Sequence, residues 1–362
     1  MDDLTGKELV IKTQTIILYW LYSLLFLVIV MVVVGGLTRL TDSGLSIPEW
    51  SLIKGIIPPL DFADWEREFE KYKLIPEFRI QNAKMSLSEF KIIYWWEWGH
   101  RFLGRIIGIV WVIGFVTFLW KKSFLAGWHK RALLVGSLIG IQGGLGWWMV
   151  SSGLAEEKVD VSNIRLSMHL GTAFIIIGLI SRYIFLLRYW QNELFVLKKN
   201  RKTKLLYLST GMIYICFLQI LLGAIVAGID GGTAYTDWPL MGGEVLPSDA
   251  FNLKQSGQNL FENQAFTQFL HRITGYIFLL CFFYFWLLTR SVENLYLRNS
   301  ANWLMFAIFL QVVLGIITLI NASPWQLAIL HQLGAVFVWW GVIRVQFKCS
   351  YPCLKLARNK HQ

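Results

Sequence analysis

Charge is scarce in this sequence: 16% of its 362 residues are Asp, Glu, Lys or Arg, against 55% hydrophobic. That balance excludes an ordinary soluble domain and fits an integral membrane protein. Acidic residues are the scarcer sign, 23 against 34 basic, leaving a net charge of +11. Cysteine is nearly absent, with Cys216 and Cys281 inside apolar runs and Cys349 and Cys353 near the end of the chain. No cysteine falls in a segment expected to face outward, so a disulfide framework is excluded. The spacing of Cys349 and Cys353, with no further partners, argues against zinc. The N-terminus has no Arg/Ser-rich transit character. No small-residue cleavage site follows the first apolar run, which is expected to be retained.

What is abundant is apolar sequence in lengths of about 20 residues, each able to cross roughly 30 Å of hydrocarbon. The runs lie at roughly 16–37, 98–120, 132–150, 166–187, 205–227, 265–288, 301–320 and 324–347. Helices satisfy their own backbone in lipid, so all eight are read as helical crossings. The basic charge is a topology signal and gives no reason to expect nucleic acid. Lys121, Lys122, Lys130 and Arg131 follow the second run, and Arg188 and Lys198 to Lys204 follow the fourth. Arg290 and Arg298 follow the sixth, and Lys348, Lys355, Arg358 and Lys360 close the chain. Segments 38–97, 151–165 and 228–264 are acidic or near neutral. The positive-inside rule then places both termini in the cytoplasm and those three segments outside. A bacterial inner membrane is the simplest location.

The chain repeats itself. DSG at Asp42 and DGG at Asp230 are 188 residues apart, as are Trp50 and Trp238. HRFLG at His100 and HRITG at His271 are 171 apart, and QGGLG at Gln142 and QVVLG at Gln311 are 169 apart. MHLGTAF at Met168 resembles LHQLGAVF at Leu330. Four helices per repeat return the chain to its starting side, so the halves are expected to be parallel repeats. The expected architecture is an all-α integral membrane protein of eight transmembrane helices in two parallel-repeat four-helix bundles. Residues 1–190 form the first, with the long outer loop 38–97, and 191–362 the second.

Of six histidines, His129 and His361 lie in basic segments and are read as solvated. The other four, His100, His169, His271 and His331, fall on the second, fourth, sixth and eighth spans. Each stands 17–21 residues before the first basic residue of the inner side, roughly 25–32 Å along a helix. All four therefore lie near the outer boundary at similar depth. A lone membrane histidine is usually a packing residue; four at one depth, paired by a repeat, are better read as ligands. Zinc wants three or four ligands, often with Cys or carboxylate, whereas each half offers two imidazoles. Haem iron takes axial ligands above and below a flat ring, in sites that helix bundles build in their cores. Gly99, Gly171, Thr172, Gly275 and Gly334 beside these histidines are expected to leave room for a macrocycle. Arg101 and Arg272, directly after two of them, suit the ring's carboxylates, and Arg39 at the end of the first span is read with them as cofactor-binding. Two haem sites follow, His100 with His169 and His271 with His331.

The halves differ in one telling place. The 171-residue offset maps Glu97 onto Gln268, and the 188-residue offset maps Arg39 onto Ala227. Glu97 sits one helical turn from His100, where a carboxylate can manage protons at a bound ring. The first half is thus expected to do chemistry while the second holds a fixed haem that relays electrons.

EWGHR with the preceding LSEFKIIYWWEW, GGLTRLTDSGLSIPEW after the first span and TDWPLMGGEVLP after the fifth resemble the haem A synthase family. The likeness is to its alphaproteobacterial and mitochondrial form and covers essentially the whole chain. The resemblance implies oxidation of the C8 methyl of haem O to a formyl group, giving haem A for cytochrome oxidase. It implies catalytic Glu97, His100 and His169, with His100 and His169 on the substrate haem iron. His271 and His331 are implied to ligate the iron of a resident haem b. It also implies a haem O synthase and an electron-transfer protein as partners; a homo-oligomer stays open. The cysteine pair that the other branch carries in its first outer loop is absent here. Phe62, Trp65, Phe69 and Tyr72 recur at helical spacing, predicting an amphipathic helix on the outer interface, over the first haem site. The competing reading is a di-haem protein that oxidises quinol without altering the haem. Four histidines near one face disfavour it, since moving electrons across a membrane calls for haems at opposite depths. A third reading, a transporter built from two bundles, predicts a protein without haem absorption.

Overall fold

A computed structural model of the chain describes residues 6–51, 53–154, 158–252 and 260–352. Cys353, Lys355, Arg358, Lys360 and His361 lie outside them. Regular structure among the described residues is helical: α1 (Gly6–Leu40), α2 (Phe62–Lys73), α3 (Pro76–Ile80), α4 (Leu87–Trp120), α5 (Trp128–Gly153), α6 (Asn163–Leu187), α7 (Gln191–Lys199), α8 (Thr203–Gly228), α9 (Gln264–Arg290), α10 (Leu295–Ile320) and α11 (Trp325–Ser350). Eight of these, α1, α4, α5, α6, α8, α9, α10 and α11, are long and apolar enough to cross a membrane, and the chain is a multi-pass membrane protein. Successive spans run in opposite directions. One end of the molecule, called here the terminal end, carries the start of α1 and the end of α11. The other, called here the distal end, carries the described residues of the loops 41–86, 154–162, 229–263 and 321–324.

The spans pack as two closed rings. α1 packs on α4, α4 on α5, α5 on α6, and α6 returns to α1; α8, α9, α10 and α11 close in the same way. The rings meet where α6 packs on α8 and α11, and α1 on α11. One apolar core runs through both, built around Leu24, Phe174, Ile177, Phe282, Phe285 and Leu304. Small residues bring the inner helices together. A Cβ on Gly178 would stand 3.0 Å from Trp339 Nε1, which donates to Phe174 O across the seam at 2.7 Å.

A second apolar core caps the first ring at the distal end, where Trp65, Phe69 and Tyr72 of α2 pack on Phe90, Ile93 and Tyr94 of α4. The predicted amphipathic helix is therefore present as α2, though Phe62 points away from its buried stripe. Its footing differs from expectation. α4 begins at Leu87, not near residue 98, because Ser86 and Glu89 form a reciprocal capping box. The projecting turns of α4 give α2 an aromatic wall to pack on. The short helix α7, inside the basic segment after α6, has no apolar periodicity that would announce it. Cys349, read from sequence as part of a tail, is buried in the last turn of α11.

Candidate functional site

Each ring brings together the two histidines assigned to it, from helices that face each other diagonally: α4 and α6, then α9 and α11. The imidazoles of His100 and His169 have centroids 6.4 Å apart with planes at 69°. His331 is near enough to act electrostatically on His271. Metal–imidazole bonds of roughly 2.0 Å put the centroids of two axial imidazoles on one iron roughly 6.3 Å apart. The first pair has that spacing.

Each ring of a histidine rests on a glycine of a neighbouring span. A Cβ on Gly35 would stand 3.0 Å from His100 Nε2, and on Gly146 3.0 Å from His169 Cε1. Gly223 meets His271 Cε1 at 3.0 Å and Gly315 meets His331 Cε1 at 2.8 Å in the same sense. These glycines lie five to seven residues from the distal ends of α1, α5, α8 and α10, so the four imidazoles share one level about 8–10 Å inside the helix ends. Of the glycines singled out from sequence, Gly99 faces open space, while Gly171 and Gly334 behave otherwise. A Cβ on Gly171 would strike Leu221 at 2.6 Å, and Gly334 is closed by the Gln311 side chain.

Three amides that sequence reading used only as repeat markers, or passed over, attend the imidazoles. Gln142 Nε2 lies 3.4 Å from His169 Nε2 and donates to His169 O at 3.0 Å. Gln311 Nε2 lies 3.2 Å from His331 Nδ1 and donates to His331 O at 2.9 Å. Gln219 Nε2 lies 3.3 Å from His271 Nε2. The position matching Gln219 in the first half is Met31, which offers His100 no amide. Buried atoms without a hydrogen-bond partner gather here: Nδ1 of His169 and His271, and Oε1 of Gln142, Gln219 and Gln311. Orphaned polar groups on a glycine-lined cradle fit a site that takes a polar-edged planar group such as haem.

Glu97 is buried. Its Oε2 accepts from Ser46 Oγ at 2.8 Å and Ile47 N at 2.7 Å, and its Oε1 takes a hydrogen bond from Arg101. Arg101 also donates to Ile47 O at 2.6 Å and Glu49 O at 2.7 Å. In the second half Gln268 Nε2 donates to Gly231 O at 2.8 Å and Tyr235 O at 3.1 Å. Arg272 donates to Leu240 O at 2.9 Å, Tyr235 O at 3.2 Å and Gln268 Oε1 at 3.2 Å. Both arginines thus stand beside their histidines with guanidinium groups engaged by the loop after the preceding span. Arg39 lies at the seam among Asp42 at 3.1 Å, Asp230 at 3.3 Å and Asp160 at 3.7 Å. Burial raises the Asp160 carboxyl, with the Arg39 charge opposing. Among the described residues, no group of three or more His, Cys, Asp and Glu side chains is arranged to hold a bare metal ion.

A family model described as cytochrome oxidase assembly protein, COX15-CtaA, matches residues 18–343. The chain is 48% identical over 342 residues to the heme A synthase of Roseobacter denitrificans, covering 94% of this chain and 90% of that protein. It is 50% identical to the heme A synthase of Ruegeria pomeroyi over the same shares, and 46% identical to that of Cereibacter sphaeroides, with 92% and 88% covered.

Proposed function

The chain belongs to the COX15-CtaA family of cytochrome oxidase assembly proteins, and on that premise we propose that it converts haem O into haem A. It is an oxidoreductase of a multi-pass membrane protein type, haem O being its substrate and haem A its product. The reaction oxidises the C8 methyl of the macrocycle to a formyl group. The observation that carries the assignment of the site is the 6.4 Å spacing of the His100 and His169 rings on diagonal helices of one bundle. These two imidazoles hold the substrate iron, which fixes the ring's edge relative to Glu97 one turn away. Glu97 manages protons, with the buried Ser46 hydroxyl donating to its Oε2. Arg101 holds the carboxylate and the loop in place.

The second pair, His271 and His331, holds the resident cofactor, a haem b. Their glycine rests and orphaned amides fit such a group, and when bound it supplies one-electron redox capacity next to the substrate site. Gln219 and Gln311 stand against the two imidazoles, where an amide turned to offer its oxygen to a ring N–H would steady a ligand that stays in place. Met31 in place of Gln219 offers His100 no such amide, which suits a site that must release its ring after each turnover. By the positive-inside rule the distal end faces the periplasm of a bacterial inner membrane. A haem O synthase delivers the substrate and a membrane electron-transfer protein takes up the electrons.

The test is co-expression with a source of haem O, extraction of the pigments and identification of a formyl haem by mass. The wild-type chain yields haem A, while H100A and H169A leave haem O unconverted. A wild-type extract containing only unmodified haem would overturn the assignment in favour of a di-haem electron carrier.

A further inference from the structure

Glu97, Arg101 and Arg105 fall at i, i+4 and i+8 along one ridge of α4. Each holds the chain that follows α1, at successively later residues. Glu97 binds Ser46 and Ile47, and Arg101 binds Ile47 O and Glu49 O while lying 5.3 Å from the Trp50 ring. Arg105 donates to Ser51 O at 2.9 Å, and its guanidinium would meet a Cβ on Gly55 at 2.9 Å. The loop therefore descends along α4 towards the terminal end. Arg105 lies five residues beyond His100, roughly 7.5 Å deeper. Side chains on a helix cover the turn before their own Cα, so Ser51 and Gly55, both held against Arg105, lie near the level of His100. That level is about 8–10 Å inside the helix ends, where a folded chain of this type meets hydrocarbon.

The same ridge continues as Ile109 and Ile113, which are 55% and 62% exposed on a helix long and apolar enough to cross the membrane. A segment lying on this ridge turns its other side to lipid as well. Its composition fits. Ile53, Ile57 and Leu60 are 81%, 67% and 77% exposed, which is costly in water and favourable among acyl chains. Pro58 and Pro59 carry no N–H that would need a partner. The turn at Lys54–Ile56 satisfies part of its own backbone, with Ile56 N donating to Ile53 O at 3.1 Å. Lys54 is long enough to carry its ammonium to the headgroups. The second half repeats the device in shorter form: Gln268 and Arg272 hold 231–240, and Tyr276, 171 residues after Arg105, accepts from Trp238 Nε1 at 2.8 Å.

We propose that residues 53–60 form a re-entrant strap embedded in the acyl region of the distal leaflet, clamped on the lipid face of α4 beside His100. This holds whatever sits between the histidines. The test uses the full chain in phosphatidylethanolamine–phosphatidylglycerol vesicles, with nitroxides attached singly to I53C, I57C and L60C in a background without reactive native cysteines. Collisions with oxygen are expected to exceed those with a water-soluble nickel chelate at all three sites, as at I113C, and the reverse at E66C on α2. Nickel collisions matching those at E66C would overturn the proposal, and so would shielding from both reagents, which would mean that a protein covers the strap. On the unmodified chain, a phospholipid with a diazirine in its acyl chain is expected to leave adducts on 53–60. Adducts on Ile109–Val116 with none on the strap would equally sink it.

Discussion

Glu97 and Gln268 stand at matching positions and meet opposite demands. The first loop offers donors, the Ser46 hydroxyl and the Ile47 N–H, while the second offers the carbonyls of Gly231 and Tyr235. A carboxylate answers donors and an amide nitrogen answers carbonyls, so the difference in residue follows the polarity of the loop as well as the chemistry of the site. E97Q turns an amide N–H2 towards either these donors or Arg101, and Q268E turns a charge towards two carbonyl oxygens. Stranding one member of a buried ion pair costs on the order of 3 kcal/mol or more. E97Q should unfold in detergent at least about 5 °C earlier in a thermal shift assay, and Q268E by less, because Arg272 stands beside the new charge. If Glu97 also manages protons, haem A yield in E97Q falls further than in Q268E at matched protein and haem content. Gln311 permits a cleaner test because it touches its imidazole and little else that is charged. If His271 and His331 hold a haem as proposed, Q311L should lower its retention about 10- to 100-fold, read as the haem-to-protein ratio after dilution.

At the scale of elements, α2 and α3 form the cap over the first ring, and their buried carboxyl gives them a pH response. Glu77 is buried beneath the cap, donated to by Tyr72 Oη at 3.3 Å, with Asp42, Glu97 and Asp160 as charged neighbours. Burial raises its carboxyl to about 8. Between its ordinary value and about 8 the folded chain holds a proton that the unfolded chain has lost. Stability therefore falls as pH rises through that window, by up to roughly 1.4 kcal/mol per pH unit from this group, and levels off above it. E77Q should flatten the decline and be the more stable protein at pH 8, as measured by thermal unfolding across pH. The spacing of Trp65, Phe69 and Tyr72 made α2 legible in the sequence, since amphipathic periodicity is local. The extension of α4 that supports it was hidden. Its capping box lies among polar residues outside the apolar run, and hydropathy marks hydrocarbon thickness while the helix goes on beyond it. The clamps from Arg101 and Arg272 to loop carbonyls were equally hidden, because a backbone acceptor leaves no trace in residue identity.

For the whole molecule, the eight spans and the pairing of histidines were readable because length, hydropathy and repeat offsets are one-dimensional quantities. The arrangement of helices was not, since closure of each ring and the choice of α6 and α11 as the seam depend on which small residues meet. α6 is the most buried of the eight. It is covered from the other half by α8 and α11, with Ser167 Oγ donating to Leu221 O at 3.0 Å and Gln332 Nε2 from α11 donating to Val32 O of α1 at 2.7 Å. Residues 1–190 and 191–362 expressed separately should therefore aggregate or fail to keep haem. Expressed together they should recover the absorbance of the intact protein, as judged by the Soret band of the purified complex.

The common level of the four imidazoles has an electrical consequence. If each pair holds a macrocycle as proposed, an electron passing between the two at equal height would move sideways through the membrane dielectric and cross none of the voltage drop, which would otherwise be worth about 2.3 kcal/mol per charge at 100 mV. Haem A formation should therefore proceed at the same rate in energised vesicles and in vesicles discharged by an ionophore.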